Sequence, residues 1–264
     1  MASEALSRLL ADRARIGHHH EIGWSDIRRC GKIQELGESW LRRLVDEDDL
    51  WRFSVLGINT EMLVLEAFGQ GIGNQRANLY RRFYRANLSH HIASLSRAND
   101  EVEVLKTYHD KEGRLECDEW FKFHPNHRIA QERANVKFVC QEVTFVDSDH
   151  SREQTHCKAS HFIQLCDVLA GATRYAIEAH NPSEARDKAI KPFLPLLERI
   201  NDPKKCSNIN SRYKHVGRAN VSYFPSRRLE PDELENPFLR ASSTFFKGRP
   251  LILQSRQGGQ AELV

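Results

Sequence analysis

Between His161 and Glu178 the chain reads HFIQLCDVLAGATRYAIE, an apolar helix carrying a glutamine and an aspartate one turn apart. At helical spacing Ser160, Gln164, Asp167, Gly171, Arg174 and Glu178 share one face, and Phe162, Ile163, Leu165, Cys166, Leu169 and Ala170 cover the rest. Apart from that face, the helix is built for burial. Asp167 lies mid-helix, where it cannot serve as an N-cap, and taking a carboxylate out of water is costly unless a cation or a donor faces it. Asp167 is thus either an acid paired inside the core, with Arg174 the nearest candidate, or a metal ligand.

The 264 residues suffice for one large domain, alone or with an appendage. Lys and Arg number 39 against 36 Asp and Glu, and the resulting +3 is too slight to argue for nucleic acid from net charge. The six cysteines (Cys30, Cys117, Cys140, Cys157, Cys166 and Cys206) form no Cys-x-x-Cys pair, which fits reduced thiols in a cytoplasmic protein. The N-terminal stretch mixes Glu4 and Asp12 with Arg8 and Arg13, so it has neither a signal core nor an acid-free transit pattern. No segment approaches the ~20 apolar residues of a membrane span.

Apolar periodicity predicts helices over Ser3 to Arg15, with Leu6, Leu9 and Leu10 on one face, over Arg28 to Val45, and over Gln75 to Ser96. A further helix is expected after Asn181-Pro182, to about Ile200. Strands are predicted over Arg52 to Asn59, Glu101 to His109 and Lys137 to Val146, with one more candidate at Asn220 to Phe224 in an otherwise irregular tail. Strands alternating with helices make the chain α/β. The expected organisation is one domain over residues 1–200 and a C-terminal extension over 201–264 that packs on or beside it.

Among possible sites, GQGIG (Gly69 to Gly73) lacks both the Lys-Ser/Thr of a phosphate loop and the third-glycine spacing of a dinucleotide loop, so it is a turn. His18 to His20 are consecutive and cannot all face one ion, which makes them a loop. No spacing singles out a cysteine nucleophile. The acids are more informative. Asp110 and Asp147 end apolar strands, Asp167 follows one helix later, and Glu21 opens the segment EIGW. Asp110 alone, followed by Lys-Glu-Gly, reads as a turn residue, but several carboxylates gathered from separate elements are what a divalent-metal site for phosphoryl chemistry requires. Residues 67–99 hold no acid and five arginines, among them Arg81, Arg82 and Arg85, interleaved with Tyr80, Phe83 and Tyr84. Residues 204–228 hold seven Lys/Arg and no acid, including Arg212, Lys214 and Arg218. Both stripes suit phosphate contact with base stacking, or else a solvated face.

EIGWSDI, Tyr108-His109-Asp110-Lys111, Asp147-Ser148 and above all QLCDVLAGATRY together resemble the domain of unknown function 3800 family, over about Ser3 to Ala179. The family is marked by a C-terminal Gln-x-x-Asp and an N-terminal Asp-Glu-Ser-Gly, and the resemblance implies a ribonuclease H-like mixed sheet flanked by helices. It places Glu21, Asp110 and Asp167 where the family's acidic site lies, holding Mg²⁺ or Mn²⁺. Gln164 would orient Asp167 or touch substrate, and Asp147 and Ser148 would border the site. The family's first hairpin, with its Asp-Glu-Ser-Gly, precedes the helix that here begins at Ser3. The functional polypeptide is therefore expected to extend upstream by a hairpin of roughly thirty residues, which would also cover the otherwise unpaired edge of the Arg52 to Asn59 strand. The activity implied is a divalent-metal-dependent nuclease or related phosphoryl hydrolase. The alternative is a nucleic-acid or protein binding module that kept the scaffold and lost catalysis.

Overall fold

The apolar helix that carries Gln164 and Asp167 is in place. In the computed structural model, which describes residues 2–47, 50–95, 101–111, 118–178, 181–201, 219–224 and 244–245, it runs from Cys157 to Glu178. The elements in chain order are α1 (Ala2–Ile16), α2 (Lys32–Asp46), β1 (Phe53–Ile58), α3 (Ile72–Leu95), β2 (Val102–Val104), β3 (Thr107–Asp110), α4 (Glu119–Glu132), β4 (Val136–Phe138), β5 (Val143–Val146), α5 (Cys157–Glu178), α6 (Glu184–Ile190), α7 (Leu194–Asn201), β6 (Ala219–Phe224) and β7 (Thr244–Phe245). Short 3-10 turns lie at Trp24–Asp26, Thr60–Met62 and Leu65–Phe68. The chain is α/β, as its alternating pattern predicts.

The main core joins α1, α2, α5, α6 and α7 to β1 and β6, with Leu9, Trp40, Leu41, Val168, Ala172, Phe193, Leu196 and Val221 buried together. In α1 the buried positions are Ala5, Leu6, Leu9, Asp12, Arg13 and Ile16, one stripe at helical spacing. Leu10, expected on that stripe, is 41% exposed, because the stripe turns toward Asp12 and Arg13 instead. Asp12 takes its core position with its charge matched: both Arg43 and Arg15 hold its carboxylate, Arg43 Nε at 2.5 Å. Burial raises the Asp12 pKa, but the Arg43 hydrogen bond and charge outweigh it and leave the group below its ordinary value.

The parallel sheet edges carry two corrections. Glu101 to His109 and Lys137 to Val146 are each two short strands. β2 pairs with β4 and β3 with β5, both parallel, and the pairs are separated by two residues on one side (Leu105 and Lys106) and four on the other (Val139 to Glu142). The surplus makes an irregular bulge, with Leu105 and Val139 turned outward, and re-aims the second half of the ladder. β1 is paired on one side and lies at an edge of its sheet among the described residues. β6 runs parallel beside it over its whole length, from Phe53↔Ala219 to Ile58↔Phe224, and β7 adds antiparallel to β6. The tail's strand candidate is thus an inner strand of a three-stranded sheet, and Ala219 and Val221 belong to the main core.

The helix after Asn181-Pro182 is also two. Pro195 lacks the amide hydrogen a continuing helix would need, and it falls in the first turn of α7, where that loss is harmless. α4 was not expected. Its apolar residues Phe121 and Ile129 are interrupted by His124, Pro125 and Asn126, which obscures the helical period; Asp118 caps it by accepting the Phe121 N–H at 3.3 Å.

Candidate functional site

β3 and β5 run parallel, so Asp110 and the loop after Val146 emerge together at the carboxyl ends of their strands, the usual location of ligand sites in α/β sheets. α5 passes beside this edge, and the segment Glu21 to Asp26 lies across α5. The cavity formed there has a volume of about 600 Å³. It brings together Glu21, Asp110, Ser148, Gln164 and Asp167, all expected from sequence, and adds Asp26, Tyr80 and Tyr108.

The docking of residues 21–26 on α5 rests on two glycines. Trp24 is buried against α5, and a Cβ on Gly171 would stand 2.2 Å from its Cγ, so only glycine admits the indole. One turn earlier on the same face, Asp167 Oδ2 accepts the Trp24 N–H at 2.9 Å, while Asp26 Oδ2 accepts the Gly23 N–H at 2.9 Å. A Cβ on Gly23 would lie 2.6 Å from Asp167 Oδ2 and 3.4 Å from Asp26 Oδ2. Glycine therefore leaves open a cradle between two carboxylates. Asp167 is exposed rather than buried, because α5 turns Val168 and Leu169 into the core and Cys166, Asp167 and Ala170 away from it. Nor is it paired with Arg174, which binds Glu178 at 2.6 Å.

Gln164 is the buried counterpart, 1% exposed, with its amide fully engaged. Its Oε1 accepts from Arg13 and from the Ile22 N–H at 3.3 Å; its Nε2 donates to the Ser148 carbonyl at 2.5 Å and to His150 Nδ1 at 3.2 Å. One side chain thus ties α1, the Glu21 segment and the loop after β5 to α5. Ser148 Oγ adds a bond to Glu21 Oε1 at 2.5 Å. Asp147 stands outside the cavity lining, and its carboxylate accepts the Asp149 N–H at 2.9 Å, a turn role.

Arg13, whose importance no spacing revealed, is 2% exposed and donates to three neutral acceptors: Gln164, the His20 carbonyl at 2.7 Å and the His18 carbonyl at 3.3 Å. Burial pushes it down to about 10. His161 is pushed down to about 4, first by burial and then by the charges of Arg13 and His150. His18 to His20 form the loop expected of them, and their backbone is what Arg13 uses.

Several arginines of the stripe are half-buried and engaged within the protein. Arg81 pairs with Asp118, Nε to Oδ2 at 2.8 Å, and Arg85 stands 3.9 Å from Glu132. Arg82 is half-buried over Phe68, and Phe83 is buried with Phe68 and Phe224. Arg212, Lys214 and Arg218 lie outside the described residues.

The donor set suits a hard cation, with carboxylates from Glu21, Asp26, Asp110 and Asp167 on one cavity. Among the described residues no three His, Cys, Asp or Glu side chains gather closely enough to enclose an ion. Mg²⁺, however, commonly takes one or two carboxylates and completes its shell with waters and substrate phosphates. The cradle at Gly23, with one oxygen of each aspartate held by a backbone amide, fits an ion bound in that way. No helix among the described residues is long and apolar enough to cross a membrane. No protein-family model matches the chain, and no curated protein or solved structure does.

Proposed function

We propose that this cavity is the active site of a divalent-metal-dependent phosphodiester hydrolase acting on nucleic acid, on a ribonuclease H-like scaffold. The observation that carries the reading is convergence: carboxylates from the Glu21 segment, β3 and α5 line one cavity at the carboxyl edge of a parallel strand pair. Asp26 and Asp167 would hold Mg²⁺ or Mn²⁺, with Asp110 and Glu21 facing the same space. Such an ion lowers the pKa of bound water and offsets charge developing on a phosphate. Gln164 positions the loops that carry Glu21 and Ser148. Arg212, Lys214 and Arg218 are proposed phosphate contacts, and their replacement by Gln should flatten the salt dependence of binding.

The test is cleavage of labelled single- and double-stranded DNA and RNA in Mg²⁺ or Mn²⁺, comparing the protein with Asp167→Asn. The amide oxygen of asparagine can still accept the Trp24 N–H, so the variant should keep its melting temperature and lose cleavage. Equal cleavage by both proteins contradicts the assignment. A second reading, a binding module without catalysis, is favoured by the lack of a third ligating side chain at the cradle among the described residues. Binding of an oligonucleotide with no cleavage in either metal selects it.

A further inference from the structure

We infer that the cavity binds its nucleic acid through an unpaired base stacked on Tyr80, which makes the substrate single-stranded or locally unstacked. The inference rests on the nucleic-acid reading above and adds what the cavity holds besides a phosphate. Tyr80 projects from α3 into the cavity and is 39% exposed. Its ring meets Tyr84, Phe121 and His109 at centroid distances of 6.2, 5.8 and 5.8 Å. Those three rings are themselves only 4.7 to 5.1 Å apart, so they form a compact group on one side of Tyr80.

The ring is also held still. His109 Nδ1 faces the Asp110 carbonyl at 2.6 Å and must carry the proton there, so in the neutral imidazole Nε2 accepts from the Tyr80 hydroxyl at 2.7 Å. With its hydroxyl bonded to a buried histidine and its ring 39% exposed on the cavity, Tyr80 is a positioned aromatic platform of the kind that stacks on any base. Tyr108, 40% exposed, lines the same cavity, and strand alternation places it on the same face of β3 as Asp110. Carboxylates and partly exposed tyrosines lining one cavity match a nucleotide's phosphate, bridged by a cation, and its base. A base stacked within a duplex cannot enter a concave cavity of this kind without leaving the stack.

The experiment uses a pentanucleotide with a central 2-aminopurine, whose fluorescence falls on stacking, titrated in Ca²⁺ with the full chain, Tyr80→Phe and Tyr80→Leu. The full chain and Tyr80→Phe should quench the probe. Tyr80→Leu should lose the quenching and bind roughly 5- to 150-fold more weakly, the equivalent of ~1–3 kcal/mol for one stacked base. A companion oligonucleotide that is abasic at the centre should bind the unmodified protein more weakly by a similar factor, a comparison that holds even if Tyr80→Leu does not fold. Quenching that persists in a folded Tyr80→Leu, equal affinity for the abasic probe, or no quenching by the full chain overturns the inference. Quenching without cleavage in Mg²⁺ or Mn²⁺ retires the hydrolase reading and keeps this one; cleavage without quenching does the reverse.

Discussion

Gly171 and Gly23 set the width of the site. A methyl on Gly171 would collide with the rigid indole of Trp24, so Gly171→Ala must displace Trp24 and the turn that carries Asp26. It is expected to lower stability by ~1–3 kcal/mol, as overpacking of a tight contact does. Urea denaturation checks this, and an unchanged midpoint would show that the indole relocates freely. His161 gives a prediction in pH. Its folded pKa of about 4 lies below the ordinary value of 6.5, so between those values the unfolded chain binds a proton that the folded chain refuses. Its contribution is fully present above about 6.5, declines as pH falls toward 4, and is constant below. His150, also lowered by burial first and then by Arg13, acts in the same direction. Urea midpoints at pH 7 and pH 4.5 should therefore fall further for the unmodified protein than for His161→Asn; an equal fall contradicts the placement of His161.

Between elements, the Gln164 amide does the joining. Gln164→Ala would leave Arg13 short of an acceptor and the Ser148 carbonyl short of a donor. The expected loss is at least ~1–3 kcal/mol, with faster hydrogen exchange confined to residues 18–24 and 147–150. Exchange unchanged in those loops would mean that they are held by other contacts. The Gln164 and Asp167 pair was legible in sequence because both residues are polar on a helix with the apolar content of a core. Which of the two is buried was not legible: only the docked Glu21 segment decides that Gln164 turns inward and Asp167 faces the cavity. Asp26 was missed for a similar reason, since its partner across the cradle lies 141 positions away in the numbering. The split of two expected strands into four was hidden because residues 101–109 and 137–146 stay apolar enough across the bulge to read as continuous.

At the scale of the whole molecule, the tail is part of the fold. A parallel strand can be placed only by a long crossover, so nothing local in Asn220 to Phe224 says that it pairs with β1. Chain truncated after Asn201 would lose the full-length partner of β1 and expose the core beneath Ala219 and Val221. It is expected to aggregate or to elute as an expanded species in gel filtration, whereas a compact monomer would make residues 201–264 a dispensable extension. The α/β class and most helices were legible from periodicity, while strand order depended on pairings between distant segments. The central claim, that Asp26 and Asp167 form a divalent-cation site in the cavity, is tested most directly by Mn²⁺ titration monitored by electron paramagnetic resonance. The account predicts one bound Mn²⁺ whose affinity falls tenfold or more in Asp167→Asn and in Asp26→Asn, with melting temperatures unchanged. Identical binding curves for all three proteins would contradict it.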